Sequence, residues 1–159
     1  MLILSLASCQ WLKGHHNVFI TGPTGVGKSY LACALAQKAC REGYNALYLR
    51  LPKLFSDLGL AKGDGRYGKL LAGFAKTHLL VLDDWGLSKL TREQQSDFLE
   101  IIEDRDQVHS TIITSQLPVS HWHEIMDNPT LADAILDRLV HNAYQINLKG
   151  GSMRKKKRK

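Results

Sequence analysis

Apolar residues form short runs along the chain, and these runs alternate with longer segments of helical periodicity. The short runs have the length and flanking residues of buried strands, and the longer segments have the pattern of amphipathic helices. The predicted strands are residues 17–21, 45–50, 78–83, 111–115 and 144–148. The predicted helices are residues 1–13, 30–41, 51–60 and 70–76, with further helices that begin near residues 91, 120 and 130. This alternation predicts a three-layer α/β fold with a mostly parallel, five-stranded sheet.

Single residues set several of the predicted boundaries. Thr91 and Gln94 have the spacing of a capping box and predict the start of a helix. Ser120 and Thr130 are expected to cap the two helices that follow. Residues 62–69 contain three glycines, so this segment is predicted to be irregular.

A glycine-rich segment at residues 22–29, Gly-Pro-Thr-Gly-Val-Gly-Lys-Ser, fits the phosphate-binding pattern G-x-x-x-x-G-K-[ST]. It lies between a predicted strand and a predicted helix. Glycines let the backbone form a concave row of N–H donors, and the helix N-terminus adds a dipole that favours anions. We therefore expect nucleotide binding, with Lys28 at the β- and γ-phosphates and the Ser29 hydroxyl on Mg²⁺. The predicted nucleotide contacts are Gly22, Pro23, Thr24, Gly25, Val26, Gly27, Lys28, Ser29 and Tyr30.

Two adjacent carboxylates, Asp83 and Asp84, follow the apolar run at residues 79–82. The carboxyl ends of strands in an open parallel sheet face the ligand, so both acids are expected beside the phosphate loop. Asp83 is predicted to hold Mg²⁺ through its water shell, and Asp84 to orient or deprotonate an attacking water. The alternative is a pair of acids that only caps the strand.

The next strand also ends in polar residues, Thr114-Ser115-Gln116. A side chain here could lie between the γ-phosphate and an attacking water, although a turn into Pro118 explains these residues almost as well. The order of glycine loop, extra strand, acid pair and polar strand end favours a hydrolysing ATPase over a small-molecule kinase.

The charge of the chain is concentrated at its end. The net charge is +6, from 21 basic and 15 acidic residues, and the last six residues are all basic. Residues 1–153 are therefore predicted to form the core and residues 154–159 a basic tail. Such a tail is either solvated or bound to a polyanion, with nucleic acid favoured over a membrane. Residues 62–69, which carry three cations and a tyrosine, are either a second phosphate-contacting loop or a solvated turn.

Three cysteines, Cys9, Cys33 and Cys40, show no metal-ligand spacing, and their odd number argues against a disulfide framework. Cys33 and Cys40 are predicted to be small core residues on the apolar side of a helix. Trp122 is expected to anchor the core. Because no stretch approaches the length of a membrane span, we expect a cytoplasmic protein.

Four segments together resemble the IstB-like ATPases, transposition helpers of bacterial insertion sequences that are similar to DnaC-type helicase loaders in the AAA+ class. These segments are the glycine loop, Leu-Val-Leu-Asp-Asp-Trp-Gly at 80–86, Thr-Ser-Gln-Leu-Pro-Val at 114–119 and Leu-Ala-Asp-Ala-Ile-Leu-Asp-Arg-Leu at 131–139. The resemblance implies a P-loop NTPase with an AAA+ core, Mg²⁺-dependent and DNA-stimulated ATP hydrolysis, assembly into a homo-oligomer on double-stranded DNA, and a transposase partner. The residue roles that it implies are Walker A for Lys28 and Ser29, Walker B for Asp83 and Asp84, sensor 1 for Gln116 or Ser115, arginine finger for Arg138 and a sensor-2-like role for Arg154.

Arg138 is also distinctive within its own predicted helix. It lies off the apolar stripe formed by Leu131, Ile135 and Leu139, and no acid lies one helical turn away. Its guanidinium is therefore predicted to reach solvent without an ion-pair partner on its own helix.

The sequence departs from the family pattern in four ways. Family members carry a helical domain ahead of this core, and larger AAA+ proteins carry a helical lid after it, whereas neither is expected here. The second Walker B acid, often Glu, is Asp84, which is one methylene shorter. Gly151 replaces the acid of the Gly-Glu-Ser-Met-Arg pattern that precedes Arg154. Three alternatives thus remain: a replicative helicase loader, a small-molecule P-loop kinase, and a remnant that binds ATP without hydrolysing it.

Overall fold

The computed structural model describes residues 6–149, and every element below lies in that range. The strands are β1 Asn17–Thr21, β2 Ala46–Arg50, β3 Leu79–Trp85, β4 Ser110–Ser115 and β5 Ala143–Asn147. The α-helices are α1 Gln10–Lys13, α2 Lys28–Arg41, α3 Leu51–Asp64, α4 Tyr67–Lys76, α5 Arg92–Arg105 and α6 Pro129–Val140, and Val119–Ile125 forms a 3-10 helix.

The described strands form a single sheet in the order β2-β3-β4-β1-β5. Every neighbouring pair is parallel, so all of the carboxyl ends lie along one edge of the sheet. Strand β4 lies between β1, which leads into the glycine loop, and β3, which ends in the two acids. The predicted parallel five-stranded sheet is confirmed.

Helices cover both faces of the sheet and make the three layers. On one face α1 and α2 pack on the apolar side chains Val18, Ile20, Val81 and Ile112. On the other face α3 to α6 and the 3-10 helix pack on the alternate side chains of the same strands, with Phe19 at the centre. Because β1, β3 and β4 are buried on both faces, their sequences are continuous apolar runs rather than alternating ones.

Several local predictions were right. Thr91 and Gln94 form the predicted capping box, in which the Thr91 side chain accepts from the Gln94 amide and the Gln94 side chain from the Thr91 amide. Trp122 is fully buried and donates its indole N–H to the Leu117 carbonyl, as expected of a core anchor.

Residues 62–69 are mostly helical, contrary to the prediction. Helix α3 continues through Gly63 to Asp64, and α4 begins at Tyr67, so only a two-residue break separates them. Gly65 has φ of 81° and ends α3, which is the only role of these glycines that requires their conformational freedom. Tertiary contacts override glycine's weak helix propensity, because Lys62 pairs with Asp97 and Tyr67 donates to the same carboxylate.

The predicted caps at Ser120 and Thr130 are wrong. Pro118 precedes the 3-10 helix, and Ser120 lies within that helix. The cap of α6 is Asn128, whose side chain accepts from the Leu131 amide, with a proline following at the first helical position. The predicted first helix is also interrupted, because Cys9 has φ of 62° just before α1, and residues 1–5 lie outside the described range.

Cys33 and Cys40 are exposed, so the prediction that both are core residues is wrong. The buried face of α2 is the narrower stripe Ala32, Leu35 and Ala39. Cys9 is buried. None of the helices within residues 6–149 combines the length and apolar character needed to cross a bilayer.

Candidate nucleotide site

The glycine loop runs from the end of β1 to the first turn of α2. Gly22, Gly25 and Gly27 have φ of 151°, 85° and 93°, a region that other residues rarely adopt. At Gly22 glycine is also required by space, because a Cβ would lie 2.4 Å from the Leu148 carbonyl oxygen. Helix α2 begins at Lys28 rather than at the predicted Tyr30. Lys28 and Ser29 therefore lie in the first helical turn, where the free amides and the helix dipole favour an anion.

Lys28 is folded back onto its own loop. Its Nζ donates to the Pro23 carbonyl at 2.9 Å. Burial lowers the pKa of the Lys28 ammonium, and the nearby Asp84 and Asp83 carboxylates oppose that decrease. The ammonium is thus held beside the loop by a single backbone acceptor, which a phosphate oxygen can replace.

Asp83 is buried at the end of β3 and accepts hydroxyl protons from three different elements. The Ser29 hydroxyl from α2 lies 3.0 Å from Oδ1 and 2.8 Å from Oδ2. The Tyr48 hydroxyl from β2 donates to Oδ2, and the Thr114 hydroxyl from β4 donates to Oδ1. Burial and the bond to Asp83 both raise the pKa of Tyr48, so the phenol keeps its proton.

A β-bulge places both acids opposite one residue of β4. The register pairs Leu82 with Ile113 and Trp85 with Ser115, so Asp83 and Asp84 together face Thr114. Asp84 adopts φ of 71°, and its amide donates to Thr114 Oγ1 at 3.1 Å. The bulge interrupts the alternation of β3 and lets two consecutive carboxylates share the carboxyl edge of the sheet.

Asp84 forms an ion pair with Arg50, the last residue of β2. Arg50 Nη2 and Nε lie 2.7 and 2.8 Å from Asp84 Oδ2. The guanidinium is more than half exposed. The hydrogen bond and the charge of Asp84 raise the pKa of Arg50, so the arginine remains a cation.

Ser115 ties the two halves of the site together. Its carbonyl accepts from the Gly22 amide at 3.1 Å, and its hydroxyl donates to the Trp85 carbonyl at 2.6 Å. Both of these bonds are structural, and the side chain is buried. Of the two sensor candidates, Ser115 already uses its hydroxyl in a bond to the Trp85 carbonyl, whereas Gln116 is exposed at the carboxyl edge.

The oxygen groups around Asp83 suit a magnesium ion. A carboxylate and a serine hydroxyl face each other at hydrogen-bond distance, and Mg²⁺ takes oxygen ligands and retains most of its waters. Ser29 would bind the ion directly and Asp83 through water. No cluster of three or more histidine, cysteine or acidic residues within residues 6–149 suggests any other metal centre.

Arg138 lies at the opposite edge of the sheet from the loop. It lies in the last turn of α6, beside the Asn17 end of β1, and a five-residue strand spans about 16 Å. Its Nη2 pairs with Glu103 on α5 at 3.2 Å, and its Nη1 donates to the Ala134 carbonyl at 3.0 Å. As predicted, the guanidinium has no acid partner on its own helix and the side chain is partly exposed, but an acid from another helix pairs with it. Arg154 lies outside the described residues.

Three contacts of this site were not expected from the sequence. Tyr48 and Arg50 belong to a strand whose only predicted role was to extend the sheet, and Thr114 was noted only as part of a polar strand end. The alternation of Tyr48 and Arg50, which puts both on one face of β2, is a signal that could have pointed to them. Tyr30, predicted to contact nucleotide, is 82% exposed next to the loop.

The chain matches the family of IstB-like ATP binding proteins over residues 1–159. It is 56% identical over 158 residues to a putative insertion sequence ATP-binding protein of Sinorhizobium fredii, covering 99% of this chain and 64% of the relative. It is 36% identical over 159 residues to the insertion sequence IS21 putative ATP-binding protein of Pseudomonas aeruginosa, covering 99% of this chain and 60% of the relative. The chain thus spans less than two thirds of the length of these relatives.

Solved structures agree on the fold. The DnaC helicase loader superposes with a TM-score of 0.80 at 22% identity, over 93% of this chain and 86% of that one. The replication initiator DnaA, bound to AMPPCP and single-stranded DNA, gives a TM-score of 0.77 at 17% identity, over 94% of this chain and 46% of that one. These neighbours establish an AAA+ P-loop fold, and the sequence match identifies the chain as a member of the IstB-like ATP-binding protein family.

Proposed function

We propose that this chain is the ATPase core of an insertion-sequence helper protein, which hydrolyses Mg-ATP while assembled on double-stranded DNA and supports a transposase. The observation that carries the proposal is the contact between Ser29 and Asp83, with Asp84 next in sequence. This contact brings a helix-terminal phosphate loop, a magnesium-binding acid and a second acid to one edge of the sheet.

Each residue then has a defined task. Lys28 exchanges the Pro23 carbonyl for phosphate oxygens and neutralises their charge. Ser29 and Asp83 would hold Mg²⁺, which would supply neutralisation of phosphate charge when bound. Once the Asp84 carboxylate separates from Arg50, it orients the attacking water or accepts a proton from it. Gln116, exposed at the end of β4, is the side chain proposed to sense the γ-phosphate.

Arg138 is proposed to act on the site of a neighbouring subunit. Its position at the far edge of the sheet excludes contact with the loop of its own chain. A permanently charged, planar guanidinium suits the γ-phosphoryl oxygens in the transition state. In this role the phosphate would replace Glu103, whose ion pair with Arg138 is partly exposed.

Phosphate release, measured with and without double-stranded DNA, tests the proposal. Asp84→Asn should still bind Mg-ATP and lose roughly 10²-fold in turnover. Asp64→Asn is the control, since Asp64 is an exposed acid paired with Arg66 away from the site. DNA-stimulated release that depends on Asp84 supports the ATPase. ADP formation that needs a small-molecule acceptor supports a kinase instead, and tight binding without turnover supports a non-hydrolysing remnant.

A mixing experiment tests the shared site. Arg138→Ala should bind ATP and hydrolyse it poorly, and Lys28→Ala should bind ATP much more weakly than the parent. Mixed together, the two variants should regain part of the activity, because each retains a different half of the site. Absence of recovery in a demonstrated mixed assembly would exclude the trans role of Arg138.

The basic tail, residues 154–159, is proposed to contact DNA phosphates. Removing it should weaken binding to all DNA sequences alike and flatten the salt dependence, because fewer counterions are released. An unchanged slope of log affinity against log salt would indicate a solvated tail.

The helicase-loader alternative differs from the proposal in its partner, which would be a replicative helicase instead of a transposase. The fold is shared with DnaC, so fold alone favours neither partner. Stimulation of phosphate release by a purified transposase from an insertion sequence, and none by a replicative helicase, would decide for transposition.

A further inference from the structure

The carboxylate of Asp83 accepts from three hydroxyl groups, and one of these groups, that of Ser29, is also a proposed magnesium ligand. Ser29 contacts both carboxylate oxygens, Thr114 donates to Oδ1 and Tyr48 donates to Oδ2. If Ser29 binds Mg²⁺ directly, an oxygen lone pair contacts the ion, and its single proton can donate to only one Asp83 oxygen at a time. Thr114 and Tyr48 are then the two side-chain donors that are not themselves proposed metal ligands, one on each oxygen.

These two remaining donors differ in what else they do. Thr114 is fully buried and also accepts the Asp84 amide, so it holds the β-bulge as well as Asp83. Tyr48 comes from the edge strand β2, is 42% exposed, and has Asp83 as its hydrogen-bond partner among residues 6–149. Tyr48 is therefore the contact that can be removed without changing the backbone around the acids.

A carboxylate that binds metal through water must present a fixed set of lone pairs. Donors on both oxygens restrict rotation of the carboxylate about its Cβ–Cγ bond, and losing one of these donors loosens that restriction. Groups that orient a metal-binding side chain in this way typically contribute a factor of about 10 to 100 in metal affinity.

We propose that Tyr48 is a positioning residue for magnesium, one that acts through Asp83 and sets the affinity of the site for the ion. The inference rests on the proposed function, because it requires that this site binds Mg-ATP. Nucleotide phosphates contact the glycine loop and Lys28, which Tyr48 does not touch. The effect of losing the Tyr48 hydroxyl should therefore fall on the metal and leave metal-free nucleotide affinity intact.

Titration of Tyr48→Phe with a fluorescent ATP analogue tests the inference, first in EDTA and then with increasing Mg²⁺. A second readout is the binding of Mn²⁺ to the nucleotide complex, followed by electron paramagnetic resonance. We expect affinity in EDTA to stay within about twofold of the parent, and the Mg²⁺ or Mn²⁺ concentration at half-saturation to rise about tenfold. Tyr44→Phe is the matched control, because Tyr44 packs edge-on against His78 at the other end of the sheet.

The outcomes separate the two proposals. Half-saturation by metal that is the same in Tyr48→Phe and parent would overturn the role of Tyr48 and leave the ATPase proposal standing. A change in thermal unfolding without a change in metal half-saturation would assign the Tyr48 hydroxyl to stability alone, and so would also overturn it. Nucleotide affinity of the parent that does not respond to either metal would refute Mg-ATP binding itself, and the role of Tyr48 with it.

Discussion

The two edges of the sheet are both rich in polar side chains, but they bond to different kinds of partner. At the carboxyl edge, Ser29, Tyr48 and Thr114 bond to the side chain of Asp83. At the amino edge, Arg105 is 1% exposed and bonds mainly to the main chain. Its guanidinium donates to the Phe74, Thr77 and Ser110 carbonyls and to the Thr111 hydroxyl.

This difference separates the structural role of Arg105 from the role proposed for the side chains around Asp83. Arg105 is buried and donates to three backbone carbonyls at once, so it cannot leave them without disturbing the fold. Among the described residues it has no carboxylate partner that would balance its charge. Burial alone lowers the pKa of Arg105 to about 10. Side chains bonded to one another can exchange partners for a ligand. The side chains around Asp83 can therefore rearrange around a ligand, while Arg105 fixes its helix to the sheet.

Removing the buried cation should have the largest effect. Arg105→Met leaves three backbone carbonyls and a hydroxyl without their donor. We expect a loss of about 3 kcal/mol in the free energy of unfolding, measured by urea denaturation. Arg92→Met, an exposed position in the first turn of the same helix, should change it by less than about 0.5 kcal/mol. Equal effects at the two positions would show that the amino edge is not structural.

Loss of the loop ammonium should come next. Lys28→Ala should retain the fold and lower ATP affinity by about 100-fold, because the phosphates lose a desolvated charge partner. Isothermal titration calorimetry measures the affinity, and circular dichroism the fold. Lys38→Ala, which removes a surface ion pair with Glu42 on the same helix, is the control. Unchanged affinity in Lys28→Ala would mean that the carboxyl edge does not bind phosphate through this loop.

Breaking the exposed ion pair at the carboxyl edge should have a smaller effect. Arg50→Gln releases Asp84 and should change unfolding free energy by less than about 1 kcal/mol, as for other exposed pairs. Because Asp84 no longer has to separate from a cation, basal phosphate release should rise by roughly threefold, the scale of such a pair. Lys53→Gln breaks another exposed pair and should leave the rate unchanged. A rate that falls in Arg50→Gln would show that the guanidinium assists the reaction instead.

The smallest effect concerns histidines at the amino edge. Burial, then the charges of Arg105, His78 and His15, lower the pKa of His109. The unfolded chain therefore binds a proton at higher pH than the folded protein. The contribution of His109 to the free energy of unfolding is fully present above about pH 6.5 and is lost as the pH falls below that value. His109→Asn should flatten the dependence of the melting temperature on pH between 7 and 5. A parallel dependence in variant and parent would remove His109 from this effect.

The sequence predicted those parts of the site that depend on local pattern. The loop of residues 22–29 comes directly after β1, the acids Asp83 and Asp84 lie near the end of β3, and the parallel sheet places all strand ends together. The contacts of Tyr48 and Arg50 depend instead on β2 lying beside β3, a neighbour relation that no local pattern encodes.

Other failures have the same origin. The ion pair of Arg138 with Glu103 joins two helices, and only its neighbours along its own helix could be examined from the sequence. Cys33 and Cys40 are apolar enough to suggest burial, but the contact between α2 and the sheet covers a narrower face. Residues 62–69 were misjudged because glycine propensity is weak compared with the contacts that Lys62 and Tyr67 make.

Ser115 has a consequence for the thermodynamics of nucleotide binding. Its carbonyl and hydroxyl fix the distance between the start of the glycine loop and the end of β3 when the chain folds. The conformational entropy of aligning the two halves is therefore lost when the chain folds, and it does not reduce the free energy of nucleotide binding. A nucleotide that enters this site needs to reorder only side chains such as Lys28 and Ser29, while the framework that separates phosphate from acid stays rigid.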